Sequence, residues 1–379
     1  MKQIFRVITA LMIGCIIGLL IGSLVSICFT DATFSSVISN FSKIDIGEVL
    51  AVFAVAVAGL FVSAGVLITL HEAGHLVCGL LCGYRFISFR IFSLTIIKIN
   101  KRFRFKRFSI AGTGGQCLLC PPDRPASEIK TGWYNFGGVL ANLVIIPAAI
   151  PLFYISPNAF FTEFLAIFLM IDVFMALFNG IPMKINGMGN DGYNMLVLRK
   201  NPETKNAFII QLRANALIQQ GVRPKDMPAE WFNIPEEICY SNPMELTIPL
   251  MTASRLEDNM QWESAYRIFK QIYDHKDQII GLYVKEIACE LIFLALVTDR
   301  KTEAETILEP QLIKYINTTR RVMSSKERIL CAIELYINDD RKAAEEIYNS
   351  LLRNRRKYLL QGEVESDIEL TKSILYDKI

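Results

Sequence analysis

Residues 50–81 read LAVFAVAVAGLFVSAGVLITLHEAGHLVCGLL, an apolar run that carries His71-Glu72-Ala73-Gly74-His75 toward its far end. The run exceeds the roughly 20 residues that a helix needs to cross a bilayer. Two imidazoles four residues apart share one face of a helix. With a carboxylate directly after the first, they form the H-E-x-x-H arrangement that holds zinc and activates water. An ionisable side chain in hydrocarbon costs about 2.5 to 3.5 kcal/mol on insertion scales, so Glu72 is expected to face a cavity or partners. Metal ligation would offset that cost.

Working outward, Lys2 and Arg6 precede another apolar run at residues 7–28, long enough to span and read as an uncleaved anchor. Residues 29–48 carry Asp31, Asp45 and Glu48 against Lys43 alone, which places them away from the cytoplasm. Downstream of the H-E-x-x-H run, residues 84–130 hold ten lysines and arginines, from Arg85 to Lys130, against Asp123 and Glu128. The positive-inside rule puts that segment in the cytoplasm. Third and fourth apolar runs at residues 136–154 and 160–178 meet in a short turn around Pro157. Four spans leave both termini cytoplasmic, in a cell membrane of the bacterial plasma-membrane type.

Within the basic segment, residues 89–91, 94–99 and 103–105 alternate β-branched or aromatic residues with polar ones, around Asn100-Lys101. That pattern predicts a small amphipathic hairpin against the inner leaflet, whose edge could pair with an extended peptide. Cys117-Leu118-Leu119-Cys120 follows among glycines and prolines and reads as a shaped loop. A single C-x-x-C without a second pair is not assigned chemistry.

Composition narrows the metal site. The chain has three histidines, His71, His75 and His275, so zinc needs a carboxylate or thiolate as third ligand. Asp191, in the glycine-rich loop after the fourth run, is best placed to fold back. Asp172 competes from roughly 10 Å deeper and ranks below it. Asn142 and Asn179 reach the same depth from the third and fourth runs, as groups that orient substrate or stabilise an oxyanion, or as interhelical ties. Nine cysteines spread through the chain form no disulfide framework. A net charge of +3, and no basic stripe with interleaved aromatics in the soluble half, argue against nucleic acid.

At these residues the chain resembles the site-2 protease family of intramembrane zinc metalloproteases. His71, Glu72 and His75 match its H-E-x-x-H, and Gly138-Val139-Leu140-Ala141-Asn142 looks like its G-P-x-x-N. Asn179 with Pro182, then Asp191-Gly192, looks like its N-x-x-P followed by D-G. The resemblance covers about residues 46–195. Val139 stands where the family has proline, and the interval from Pro182 to Asp191 is longer than the family's. The stretch between His75 and Gly137 is too short for an inserted PDZ domain of about 80 to 100 residues. The resemblance implies Zn²⁺ on His71, His75 and Asp191, with Glu72 as general base. It also implies a membrane-embedded peptide or single-span protein as substrate, in regulated intramembrane proteolysis or in processing of signal-peptide remnants or pheromone precursors.

Beyond Arg199 the chain reads as soluble. A connector with Pro202, Pro224, Pro228, Pro235 and Pro243 leads to a helical region from Met244 onward. Stretches starting at Trp262, Lys301 and Arg341 echo one another, with alanines at 265, 304 and 344, so the region resembles a divergent tetratricopeptide-type array. An irregular helical bundle fits the pattern as well. A concave array suits a cytoplasmic regulator or a substrate tail.

The expected fold is mainly α: about four membrane helices with a small membrane-associated β-hairpin, then a soluble α-helical repeat-like domain. The expected divisions are an anchor and external loop (1–48), a metalloprotease core (49–200), a linker (201–243) and a cytoplasmic helical domain (244–379). Two rival readings stand beside a protease: a catalytically inactive scaffold whose array binds a peptide or protein, and a transporter with His71 and Glu72 on a proton path.

Overall fold

The computed structural model describes residues 46–99, 102–108 and 113–377. The anchor at residues 7–28, most of the loop after it and the Asn100-Lys101 turn lie outside the described residues. The chain divides into two units, Met1–Phe61 with Ser156–Ile167, and Val62–Ile155 with Phe168–Ile379. In the first, a Cβ at Gly59 would sit 3.5 Å from the side chains of Phe164 and Ile167, ordinary contact distance. Asn158 caps the start of the helix that follows by accepting from Phe161 N–H.

Three helices are long and apolar enough to cross a membrane. The first, α1 (Ile46–Leu81), contains the H-E-x-x-H. It ends in a Schellman motif: Gly83 is left-handed (φ +84°), its N–H bonds Leu80 O, and Tyr84 N–H bonds Gly79 O. Glycine suits that conformation because it has no Cβ to clash. The second is α2 (Thr131–Ala149), extended by the single turn α3 (Pro151–Tyr154), and the third is α4 (Ala159–Gly180). Among the described residues these three segments are the candidate spans, where the hydropathy of the whole sequence predicts four.

The end of α1 feeds directly into an antiparallel sheet of β1 (Arg85–Ile91), β2 (Leu94–Ile99), β3 (Arg102–Arg107) and β4 (Gly115–Cys120). The spatial order is β3-β2-β1-β4. The predicted hairpin is thus the first three strands of a larger sheet. Cys117-Leu118-Leu119-Cys120, read as a loop, is the edge strand, paired with β1 through Phe89↔Cys117 and Ser88↔Leu118. A short apolar stretch whose partner lies far back in the chain gives no local signal that separates strand from loop.

After α4, strands β5 (Lys184–Ile185) and β6 (Met188–Gly189) form a miniature hairpin around Asn186 and Gly187, both at positive φ. Asn-Gly is the pair that such a tight turn favours. Helix α5 (Asp191–Lys200) packs along α2.

The stretch read as a linker begins instead with an ordered helix, α6 (Pro202–Gln219). Asn201 caps it and Pro202 occupies its first turn, where a missing N–H costs nothing. Ile209, Leu212 and Ala216 of α6 share one core with Leu118, Leu119 and Tyr134. The remaining prolines sit in 3₁₀ turns and loops between α6 and α7 (Thr247–Asp258).

The helical region contains three hairpins: α7 with α8 (Trp262–Tyr273), α9 (Gly281–Val297) with α10 (Lys301–Ile307), and α12 (Ser325–Tyr336) with α13 (Arg341–Asn354). Helix α11 (Pro310–Thr319) lies between the second and third, and α14 (Gln361–Tyr376) closes the series. Each second helix starts two residues after a left-handed residue: Met260, Asp299 and Asp339, at φ +58°, +58° and +53°. The echoing Ala265, Ala304 and Ala344 all have 0% exposure. A buried residue without a side chain beyond Cβ lets the paired helices approach closely, and this explains why alanine recurs at that position.

Candidate metal centre

His71 and His75 project from the same face of α1, buried at 6% and 9% exposure. Asp191 reaches them from the first turn of α5: its Oδ2 lies 3.1 Å from His71 Nε2 and 3.3 Å from His75 Nε2. The two Nε2 atoms are 3.2 Å apart. Among the described residues this is the group of histidine and carboxylate atoms placed to hold a metal ion.

The outer hydrogen bonds decide what these three atoms present to each other. His75 Nδ1 faces the carbonyl of Tyr134 at 2.8 Å, and a carbonyl only accepts, so Nδ1 carries the proton. His71 Nδ1 faces Asn142 Oδ1 at 2.7 Å, while Asn142 Nδ2 donates to Asp172 Oδ1 at 2.5 Å. The amide is thereby oriented with its acceptor toward His71, which must also donate from Nδ1. Both Nε2 lone pairs therefore point at Asp191 Oδ2, an oxygen with no hydrogen-bond donor.

Three bare acceptors at 3.1 to 3.3 Å repel unless a positive charge sits among them. For metal–ligand bonds of about 2.0 to 2.1 Å, the edge of a coordination tetrahedron is about 3.3 to 3.4 Å, close to these separations. Burial pushes the Asp191 carboxyl up, and only positive charge among the three groups holds it down. A bound metal supplies that charge and takes the carboxylate in its ionised form. The donor set and its outer partners fit a tetrahedral metal with one position left for another ligand.

Asn190 sets Asp191 in place. Its side chain accepts from Tyr193 N–H as helix cap and donates to Phe178 O and Ile181 O, each at 2.6 Å. The β5–β6 hairpin absorbs the long interval after Pro182 and returns the chain to the end of α4. A Cβ at Gly192 would overlap the Gly180 carbonyl, so only glycine permits this approach.

Glycines also bring α1 and α2 together. Any Cβ at Gly74 or Gly137 would collide with the opposing helix backbone, and one at Gly138 would stand 2.5 Å from both Nε2 atoms. Gly138→Ala is expected to displace the imidazoles and lower metal affinity by about 10- to 100-fold, the range seen when ligand orientation is disturbed. Asn142→Ala should fall in the same range by freeing the His71 ring. Competition with a chelator of known affinity measures both.

Glu72 lies beside β4. A Cβ at Gly115 would be 2.7 Å from its Oε1. Tyr134 OH donates to Cys117 O at 2.7 Å. Strands β3 and β4 are the two edges of the sheet, and β4 is the one beside Glu72.

Of the expected site residues, the structure brings together His71, His75 and Asp191, with Glu72 alongside. Asn142 is an interhelical tie that orients His71. Asp172 stands behind Asn142 and does not touch the histidines' Nε2 atoms. Asn179 donates to Met175 O within its own helix at 3.0 Å. Tyr134 and Asn190 were not singled out from the sequence, and Gly138 entered only as the first residue of the Gly138–Asn142 match. The cap pattern Asn190-Asp191 at a helix start is the one local signal among them. No family model matches the chain, and no curated protein or solved structure is matched to it.

Proposed function

We propose that this chain is an intramembrane zinc metalloprotease of the site-2 type, cleaving membrane-spanning or membrane-associated peptides near the cytoplasmic leaflet. The observation that carries the reading is the convergence of His71 and His75, in a segment apolar enough to span a membrane, with the Asp191 carboxyl group from the helix that follows the last such segment, beside Glu72. Bound there, zinc would polarise a peptide carbonyl and acidify a water. Glu72 would accept the proton of the attacking water and return it to the leaving amine. Asn142 and the Tyr134 carbonyl keep the ring protons of both histidines on Nδ1. A substrate helix has its amides bonded internally, so its scissile segment must unwind before it reaches the site. The anchor at residues 7–28 would supply a fourth span, with both termini cytoplasmic.

The test compares membrane and secreted peptides from cells making the wild-type chain and the Glu72→Gln variant. A precursor that accumulates uncut in the variant names the substrate. Identical peptide profiles, with cellular function intact, would favour the scaffold reading instead.

A further inference from the structure

A cavity of about 690 Å³ lies between the start of α2, the second half of α5 and the start of α6. Its apolar lining includes Trp133, Phe136, Met195 and Leu198. Lys130, Arg199 and Lys205 also line it, and no acidic residue does. No ion pair engages these three cations among the described residues. Lys205 spends one hydrogen bond on Ser127 O, at 3.2 Å.

The position of the cavity separates its candidate occupants. Trp133 is 57% exposed in the first turn of α2, inside the candidate span Ala126–Tyr154. An exposed tryptophan at the end of a span belongs to the headgroup boundary. A soluble anion would use the three cations and leave the apolar wall wet; an apolar peptide would bury the wall and strand the cations. A molecule with a phosphate joined to acyl chains satisfies both, at the depth where such molecules lie.

We propose that this cavity binds an anionic phospholipid, its phosphate among Lys130, Arg199 and Lys205 and its acyl chains along Trp133 and Phe136. The proposal rests on reading α2 as a membrane span and is independent of the protease chemistry. It also has a consequence for the metal centre. Helix α5 starts at Asp191 and ends beside Arg199, while α2 presents Tyr134 and Asn142 to the two histidines. A phosphate bridging Lys130 and Arg199 would tie together the two helices that set the third ligand against the imidazoles.

The full chain, exchanged into nanodiscs of phosphatidylcholine with phosphatidylglycerol and then re-extracted in detergent, provides the test, with retained lipid counted by mass spectrometry. The wild type should retain phosphatidylglycerol in preference to phosphatidylcholine. The variant Lys130→Gln/Arg199→Gln/Lys205→Gln should retain it on the order of 100-fold less, and Arg199→Gln alone, at an exposed position, several-fold less. The variant Arg102→Gln/Arg104→Gln/Arg107→Gln, which removes equal charge from β3, should match the wild type. Equal losses from both triple variants, or no loss from the first or from Arg199→Gln, would overturn the proposal. So would displacement of the lipid by inorganic phosphate in the wash, which marks a simple anion site. A chain that fails to enter nanodiscs overturns the span reading and this proposal together, whereas absent zinc with lipid retained counts against the protease reading only.

Discussion

Glu72→Gln is expected to lower peptide hydrolysis by about 10²- to 10⁴-fold while leaving the metal content of the purified chain unchanged. The amide keeps the shape of the carboxylate. It cannot take a proton from water. The atoms placed for ligation belong to His71, His75 and Asp191, so uptake of the ion should not depend on Glu72. Asp191→Ala supplies the contrast, losing metal and turnover together. Metal analysis and cleavage of a transmembrane peptide in the same preparation check both variants. A Glu72→Gln chain that also loses its metal would make Glu72 a ligand, and one that retains turnover would place the general base elsewhere.

Arg328→Met is expected to destabilise the helical region by about 3 to 5 kcal/mol at neutral pH, the usual result of removing one side of a buried ionic cluster. The guanidinium is buried and bonds Glu257 of α7 at 2.5 Å, Glu290 of α9 at 2.5 Å and Asp367 of α14 at 2.8 Å. One side chain from α12 thus holds three other helices, and its loss strands three carboxylates away from water. Burial raises the Glu257 and Asp367 carboxyls, and burial with neighbouring Asp367, Glu290 and Glu286 pushes Glu363 up to about 8. A carboxyl raised on folding favours the folded state fully below its unfolded value, near 4.5 for Glu363, and that contribution is lost as pH rises through about 8. The wild-type region should therefore weaken between about pH 5 and 8, and the variant more steeply, because the guanidinium that lowers the Glu257 and Asp367 carboxyls is gone. Hydrogen exchange in α12 and α14 of the full chain, followed across that window, measures the loss. Unchanged protection in the variant would mean that the carboxylates find protons or water without cost.

Much of this architecture is legible in local chemistry. The apolar runs mark α1, α2 and α4 because each is an uninterrupted hydrophobic length of the kind that is long enough to cross a bilayer. The i, i+4 spacing of His71 and His75 puts both rings on one face before any tertiary contact is known. The three alanine-bearing stretches lie at equivalent points of three hairpins, since each needs a small residue where its helices meet. Strand β4 is different: its partner is β1, and nothing in Gly115–Cys120 records a contact with residues so far upstream. Helix α6 was obscured by its first-turn proline among the other connector prolines.

The candidate site divides along the same line. The amino-acid sequence by itself narrowed which side chains could ligate a metal, because few histidines and few carboxylates in or just after the apolar runs leave little choice. Only the tertiary structure decided between Asp191 and Asp172, through the Asn-Gly hairpin and the Asn190 cap that return α5 to the end of α4. It also decided that Asn142 orients His71 and that Tyr134 holds His75. Those roles rest on hydrogen bonds between helices distant in the chain, and their geometry depends on glycine contacts at Gly74, Gly137 and Gly138 that bring the backbones together. Spacing along one helix can be read from its sequence, but the distance between two helices is set by the atoms that meet where they cross.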